Sequence, residues 1–327
     1  MTLPAVRRAA YFVFLFFGIT SVCFWVVHLA PGTTADSVAG MNPQVSAEAR
    51  EKMNRLYGLD RPLWVQYRTW SVKMVRFDFG ESLVDGEKVS RKILKTIPVT
   101  LMLNALSLLL TLGLGIPLGV WLAVRADTVY EKVADIVLLG ALSLPGFWLS
   151  LLLMQWLGVR LHWLPVSGLH TLFYEQWSWV RQGQDLGRHI LLPVFVMALS
   201  GVAAFSRYVK VSVQETLQKK YIQAARARGL SERSILFTHA LKNALLPVLT
   251  LLGLSVPGLL GGSVVLESVF SIPGMGRLFF TAVSARDYPV IMGILVLGAV
   301  LTLLGNALAD LAYSKADPRI NRAGQGS

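Results

Sequence analysis

The sequence predicts an all-α, polytopic membrane protein with six transmembrane helices. Composition gives the first indication, because 54% of the 327 residues are hydrophobic and 15% are charged, whereas soluble domains average about 25% charged residues. Hydropathy gives the second, because a spanning helix needs roughly 20 mostly apolar residues. Six stretches reach that length, at about residues 9–30, 99–124, 134–158, 190–206, 244–266 and 288–312.

Charge placement predicts that both termini lie in the cytoplasm. Arg7 and Arg8 precede the first apolar stretch, and short segments rich in Lys and Arg stay on the cytoplasmic side. Six spans return the C-terminus to that side, where Lys315, Arg319 and Arg322 agree. The net charge of +12 follows from basic residues that flank the membrane, so it does not call for a nucleic-acid partner.

This topology divides the chain into three parts. Residues 1–98 hold the first span and a long external segment, residues 99–316 hold five spans, and residues 317–327 form a cytoplasmic tail. The first apolar run is longer than the usual 7–15 residues of a signal peptide, so we expect an uncleaved span. In the external segment, residues 64–77 predict an amphipathic helix that lies near the membrane surface. The alternative is a folded loop with ordinary aromatic packing.

Small residues recur four positions apart within the predicted spans, as Gly115/Gly119 and Gly258/Gly262. This spacing lets helices approach closely. The most pliable intramembrane stretch is residues 253–262, which contains Gly253, Pro257, Gly258, Gly261 and Gly262. It serves either helix packing alone or a bending wall of a translocation path.

The span interiors carry almost no charge, whereas ion-coupled transporters usually place ionisable groups at mid-membrane. The chain also lacks a G-x-x-x-x-G-K-[ST] phosphate loop and an H-E-x-x-H pair, and Cys23 is its single cysteine. We therefore expect no catalytic residue, no cofactor and no metal site. These observations favour a pore-forming body driven by a separate motor, with an ion-coupled transporter or a channel as the alternative.

The basic segment 207–247 separates two long apolar stretches and predicts a helix, a tight turn and a second helix. Gly229 follows strong helix formers and suits the left-handed position after a helix end. Ser231 can cap the next helix, and Leu230 and Ile235 have the spacing of a hydrophobic staple. The alternative is a solvated loop whose positive charge only follows membrane topology.

This segment also carries a resemblance to a known family. Gln223-Ala224-Ala225, followed after three residues by Gly229, resembles the E-A-A-x-x-x-G signature of the permease subunits of ABC importers. The continuation to Pro247 resembles the dipeptide/oligopeptide/nickel branch. Weaker matches extend over nearly the whole chain, at residues 57–62, 78–82, 271–277, 286–289 and 317–320. The chain departs from the signature at Gln223, where the family has Glu.

The resemblance implies a type I ABC importer permease fold in the cell inner membrane. It also implies a coupling helix that docks on an ATPase, and the residues that match this element are Gln223, Ala224, Ala225, Gly229, Leu230 and Ser231. The implied partners are a second homologous permease, two ATP-binding subunits that hydrolyse the ATP, and an external solute-binding protein. The implied substrates are di- or oligopeptides, with nickel or another small solute as the alternative.

Overall fold

The computed structural model describes residues 3–29, 60–245 and 263–316, together with Glu51, Arg55, Gly58 and Val248. These residues are helical apart from turns, connecting segments and one isolated bridge between Glu81 and Lys88. The helices are α1 (Leu3–Leu29), α2 (Leu63–Val75), α3 (Val89–Val124), α4 (Val129–Ser143), α5 (Gly146–Leu153), α6 (Trp179–Leu217), α7 (Lys220–Ala227), α8 (Glu232–Ser234), α9 (Leu241–Ala244), α10 (Val264–Val269), α11 (Met275–Ala285) and α12 (Tyr288–Ala316).

Wider and tighter helical turns complete the described part. A π-helix, Met154–Arg160, continues α5, and a second π-helix, Ile235–Ala240, joins α8 to α9. A single 3₁₀ turn, Tyr174–Gln176, lies between the first π-helix and α6.

Three described helices are long and apolar enough to cross a membrane, namely Val89–Val124, Trp179–Leu217 and Tyr288–Gly305. The pair Val129–Ser143 and Gly146–Arg160 gives a fourth if it forms one span. The apolar part of α1, Val13–Val26, is shorter. The predicted span at 244–266 lies mostly outside the described residues, so the described part holds three to four candidate spans.

The predicted span at 134–158 is broken rather than straight. Its two halves meet at an angle of 97°. Pro145 has no N–H to continue the helix and disfavours helical backbone at Leu144, which is extended with φ −78° and ψ 125°. The sequence predicts both the length of this apolar run and a break or bend at Pro145, and the bend is confirmed.

The chain divides into two compact units, each described by itself. The first comprises residues 1–100, 260–264 and 273–307. The second comprises residues 101–259, 265–272 and 308–327. The three-part division predicted from the sequence follows membrane topology instead, and it stays a prediction.

The core of the first unit joins the start of α3 to α11 and α12. Its buried side chains are Val89, Ile93, Met275, Ala282, Val290 and Ile291. Beside it, the buried Asp287 carboxylate accepts hydrogen bonds from the Ser82 hydroxyl (2.5 Å) and the Leu83 N–H (3.1 Å). Two segments about 200 residues apart in sequence are therefore held together, and both belong to stretches that resemble the family.

Aromatic rings pack α2 against α1 within the first unit. Phe24 is 1% exposed and contacts the rings of Tyr67 and Trp70, with centroids 5.2 and 5.5 Å away. The Tyr67 hydroxyl also lies 2.6 Å from the Ser21 hydroxyl. Of the two sequence-based alternatives for this helix, ordinary packing holds for Tyr67 and Trp70, whereas Trp64 is 64% exposed.

In the second unit, glycines on α3 let α6 approach closely. A Cβ built on Gly115 would lie 3.2 Å from Phe205 Cβ. One built on Gly119 would lie 2.5 Å from the Ser206 carbonyl oxygen and 2.7 Å from Val209 Cβ. The predicted packing role of this glycine pair is confirmed, and Gly258/Gly262 lie outside the described residues.

Candidate coupling element after helix α6

The basic segment begins as a continuation of a long helix. Helix α6 runs without interruption to Leu217, so the first part of the segment predicted at 207–247 is an extension of a candidate span. Gln218 and the extended Lys219 (φ −68°, ψ 147°) then turn the chain into α7. The predicted helix, turn and second helix are confirmed after that point, and we name residues 218–245 the coupling element.

Gly229 ends α7 in the left-handed conformation that the sequence predicts, with φ +80°. Its N–H donates to the Arg226 carbonyl (2.9 Å), and the Leu230 N–H donates to the Ala225 carbonyl (3.3 Å). These two bonds form a Schellman motif, which satisfies carbonyls that the helix end leaves free. A Cβ on Gly229 would meet nothing within 4 Å, so backbone conformation rather than space favours glycine here.

The second helix starts at a cap and is tied back to α7. The Ser231 hydroxyl accepts a hydrogen bond from the Ser234 N–H (3.3 Å), as predicted for an N-cap. Arg226 forms a two-pronged pair with Glu232, through Nε at 2.8 Å and the second nitrogen at 3.0 Å. The guanidinium holds the pKa of the Glu232 carboxyl below its usual value. This exposed pair spans the Gly229 turn and orients it, although solvent screens its energy.

The inner face of α7 rests on the helices that follow it. Ile222 and Ala225 are buried against Ile235 and Ala240, with Leu217 packed beside them. Burial of Ile222 and Ile235 is complete, so α7 has a fixed orientation despite its eight residues. Short helices depend on such packing because their own hydrogen bonds are insufficient to stabilise them.

The outer face of α7 is exposed and mixed in character. Gln223, Ala224 and Arg228 are exposed, and the Gln223 amide donates to the Gln218 carbonyl at 3.3 Å. Leu230 is 41% exposed, whereas its predicted staple partner Ile235 is fully buried. Apolar surface at Leu230 therefore remains exposed beside the polar face.

The coupling element is fastened to the end of α6. The Ser212 hydroxyl donates to the Ala244 carbonyl (2.8 Å). Val209 and Val213 on α6 pack with Ala244 and Val248 in one buried cluster. The end of the coupling element therefore packs directly on α6.

A partly buried lysine extends this connection to α4. Lys210 Nζ on α6 lies 2.5 Å from a Glu131 oxygen and 2.6 Å from an Asp135 oxygen. In the sequence, Lys210 is simply one of the basic residues of the segment 207–247. The spacing of Glu131 and Asp135 puts both carboxylates on one face of a helix, but it does not identify Lys210 as their partner.

The other predicted site residues belong to the stretch 253–262. Gly253, Pro257, Gly258, Gly261 and Gly262, predicted either to pack helices or to bend along a path, lie outside the described residues. The six residues matched to the coupling signature are all described, and they lie together in or beside α7 and its turn.

Comparison with known proteins agrees with this architecture. Residues 115–322 match the family described as binding-protein-dependent transport system inner membrane component. The chain is 40% identical to the oligopeptide transport system permease protein AppB of Bacillus subtilis (strain 168), over 96% of this chain and 98% of the relative. It is 35% identical to the di/tripeptide transport system permease protein DppB of Pseudomonas aeruginosa (strain UCBPP-PA14), over 96% and 97%. The chain therefore belongs to the family of binding-protein-dependent transport system inner membrane components.

Proposed function

We propose that the chain is a transmembrane permease subunit of an ATP-driven, binding-protein-dependent importer of peptides. Family membership supports the transport role. The names of the relatives support the substrate class, since one transports oligopeptides and the other di- and tripeptides. Because these substrates differ in length but share the peptide backbone, di- to oligopeptides are the substrate class that we assign.

The observation that carries the proposal is the fixed, two-sided character of α7. One side is buried on the chain itself, and the other presents Gln223, Ala224 and the nearby Leu230 to solvent. A short helix held in this way can move as a rigid unit, without reorienting, when a bound partner displaces it. In our proposal the exposed side docks in a groove of an ATP-binding subunit.

The proposed movement passes from α7 to the membrane through contacts inside the second unit. The buried cluster of Val209, Val213 and Ala244 joins the coupling element to α6. The Lys210 bridge to Glu131 and Asp135 joins α6 to α4. Closure of the ATPase pair would shift α6 and α4 together and change access to a path shared with a second permease.

The full assembly that we propose has three kinds of component. Two permeases, of which this chain is one, line the path, and two ATP-binding subunits hydrolyse ATP on the cytoplasmic side. An external solute-binding protein delivers the peptide. This chain spans the inner membrane six times with both termini in the cytoplasm, and we propose that it hydrolyses no ATP itself.

Substitution at Gly229 tests the coupling role. A β-branched residue resists a positive φ at a cost of about 1–3 kcal/mol, whereas Asn adopts this conformation several-fold more readily than most residues. Gly229→Val should keep membrane insertion but reduce co-purification of the ATP-binding subunits and peptide uptake about tenfold, because α7 loses its cap. Gly229→Asn should retain most of both.

Lys219→Ala is the charge control for this experiment. It removes a positive charge at the start of the coupling element, whereas both Gly229 substitutions leave the charge unchanged. If the element acts only through net charge, Lys219→Ala should impair uptake at least as much as Gly229→Val. That result, or normal uptake by a well-expressed Gly229→Val variant, would contradict the coupling role.

A further inference from the structure

The segment between α5 and α6 folds into a walled pocket that the coupling role does not use. We name it the loop pocket. Its cavity measures about 460 Å³, and its lining includes His162, Trp177, Arg181, Gln184, Asp185 and Arg188. Cavities of roughly 300–1,000 Å³ accommodate small ligands or individual side chains. All of these residues belong to the second unit, and the predicted topology puts this segment outside the membrane.

The pocket is held open by a loop fastened to the first turns of α6. The Arg188 guanidinium donates to the Trp163 carbonyl at 2.7 Å. Thr171 donates to the Asp185 carboxylate through its N–H (2.9 Å) and its hydroxyl (2.5 Å). Gly158 and Val166 also line the pocket. Only glycine allows their close contact, because a Cβ on Gly158 would lie 2.3 Å from Val166 Cγ1. These contacts fix the walls independently of any ligand.

The lining of the loop pocket carries more positive than negative charge, with Arg181 and Arg188 against Asp185. The Asp185 carboxylate is buried and already accepts both hydrogen bonds from Thr171. The Arg181 guanidinium lies 4.0 Å from the centre of the Trp177 ring, and that of Arg188 bonds a backbone carbonyl. Among the residues that the structure describes, neither arginine has an ion pair with a carboxylate. The lining therefore offers two guanidinium groups and one carboxylate that is already satisfied.

We propose that the loop pocket binds a carboxylate carried by a short peptide segment. Guanidinium groups match the planar geometry of carboxylates and bond them in pairs. The carboxylate of Asp185 leaves a net charge of one in the lining, which suits a single carboxylate better than a dianionic phosphate. Leu164, Pro165 and Val166 add apolar walls for the carbon atoms of the ligand.

The carboxylate has two possible sources that share this chemistry, a peptide C-terminus and an acidic side chain. Three blocked tripeptides separate them. Acetyl-Ala-Ala-Ala carries a terminal carboxylate, acetyl-Ala-Glu-Ala-amide carries one on a side chain, and acetyl-Ala-Gln-Ala-amide carries none. Binding is measured by calorimetry on the full-length chain in lipid nanodiscs, with any subunits that accompany it.

We expect at least one of the two carboxylate peptides to bind about tenfold more tightly than the neutral one, as for a charge-assisted hydrogen bond. The tighter of the two identifies the source. Arg181→Gln should remove this preference, and Arg181→Lys should retain part of it. Equal binding of all three peptides, or no measurable binding of any, would overturn the proposal.

Arg160→Gln is the matched control. Arg160 also lies over a tryptophan ring, that of Trp156, at 4.8 Å, and it is not among the residues that line the pocket. The preference for carboxylate peptides should survive this change. If Arg160→Gln and Arg181→Gln weaken binding equally, the effect comes from general surface charge and the pocket assignment is wrong. Because no step of this test uses ATP, it is independent of the coupling role.

Discussion

Gly229 and Gly119 show that one residue type can be required for two different physical reasons. At Gly229 there is open space around a Cβ, but φ is +80°. At Gly119 a Cβ would lie 2.5 Å from the Ser206 carbonyl oxygen, so the limit is space between two helices. Asn should therefore be tolerated at Gly229, while even Ala should be costly at Gly119.

We expect Gly119→Ala to destabilise the protein by about 1–3 kcal/mol, the usual range for overpacking. The added methyl group forces α3 and α6 apart. Thermal unfolding in detergent should show a melting temperature several degrees below that of the parent.

Gly113→Ala is the control on the same helix, because nothing lies within 4 Å of a Cβ at that position. Alanine also has the higher helix propensity. This variant should melt at or slightly above the parent temperature. Equal melting temperatures for the two alanine variants would contradict the close approach at Gly119.

The residue scale also shows what a sequence can and cannot predict. The positive φ of Gly229 and the cap at Ser231 were predictable because both follow from neighbours a few positions away. The bridge of Lys210 to Glu131 and Asp135 was not, because its partners lie 75 or more residues apart in sequence. Local chemistry is readable from one sequence, whereas a pairing between helices depends on packing that the sequence does not display.

At the scale of elements, the loop that precedes α6 is more structured than its composition suggested. The sequence predicts no helix or strand for this segment. In the structure, Thr171 and the stacked rings of His170 and Tyr174, with centroids 3.9 Å apart, lie against the start of α6. Burial lowers the pKa of His170 below the ordinary histidine value of 6.5. The negative charge of Asp185 raises this pKa in part, and the nearby His189 lowers it further.

This shift makes the folded loop sensitive to acid. Below pH 6.5 the unfolded chain binds a proton at His170 more readily than the folded chain does. The contribution of neutral His170 to folding stability is therefore complete above pH 6.5 and is lost as the pH falls below that value. Melting temperature should therefore fall between about pH 7 and about pH 5. His170→Phe keeps a ring beside Tyr174 but cannot be protonated, so its melting temperature should fall less steeply. Parallel pH profiles for the two proteins would exclude His170 as the cause.

At the scale of the whole molecule, hydropathy predicted the apolar runs better than their shapes. The three long helices of the described part begin at Val89, Trp179 and Tyr288. The first two extend beyond the apolar runs predicted at 99–124 and 190–206, and the third begins at the same residue as the run predicted at 288–312. The extension of α6 to Leu217 was not predicted, because hydropathy measures solvent preference and does not register a helix that continues into polar sequence. The count of six spans is a prediction for labelling experiments.

We expect cysteines on the two sides of the membrane to react selectively with an impermeant maleimide, after Cys23→Ser removes the native thiol. Val84→Cys and Leu172→Cys, at positions that are 53% and 82% exposed, should label from outside intact cells. Phe237→Cys, at a position 57% exposed, should label only in inverted vesicles. Ser82 is 1% exposed and is unsuitable as a reporter. Labelling of Phe237→Cys from outside would overturn the proposed orientation.

The central claim is that the exposed side of α7 is the surface that docks on the ATP-binding subunits. It is tested by maleimide labelling of Ala224→Cys in the chain alone and in the assembled complex, with Cys23→Ser as background. Ala224 is exposed, whereas its neighbour Ala225 is 8% exposed. Ala225→Cys should therefore label slowly in both states, and Val84→Cys should label equally in both.

We expect Ala224→Cys to label readily in the chain alone and about tenfold or more slowly once the ATP-binding subunits are bound, because a docked helix face is excluded from water. Equal labelling of Ala224→Cys in the free chain and in a complex shown to be fully assembled would contradict docking through the exposed side of α7.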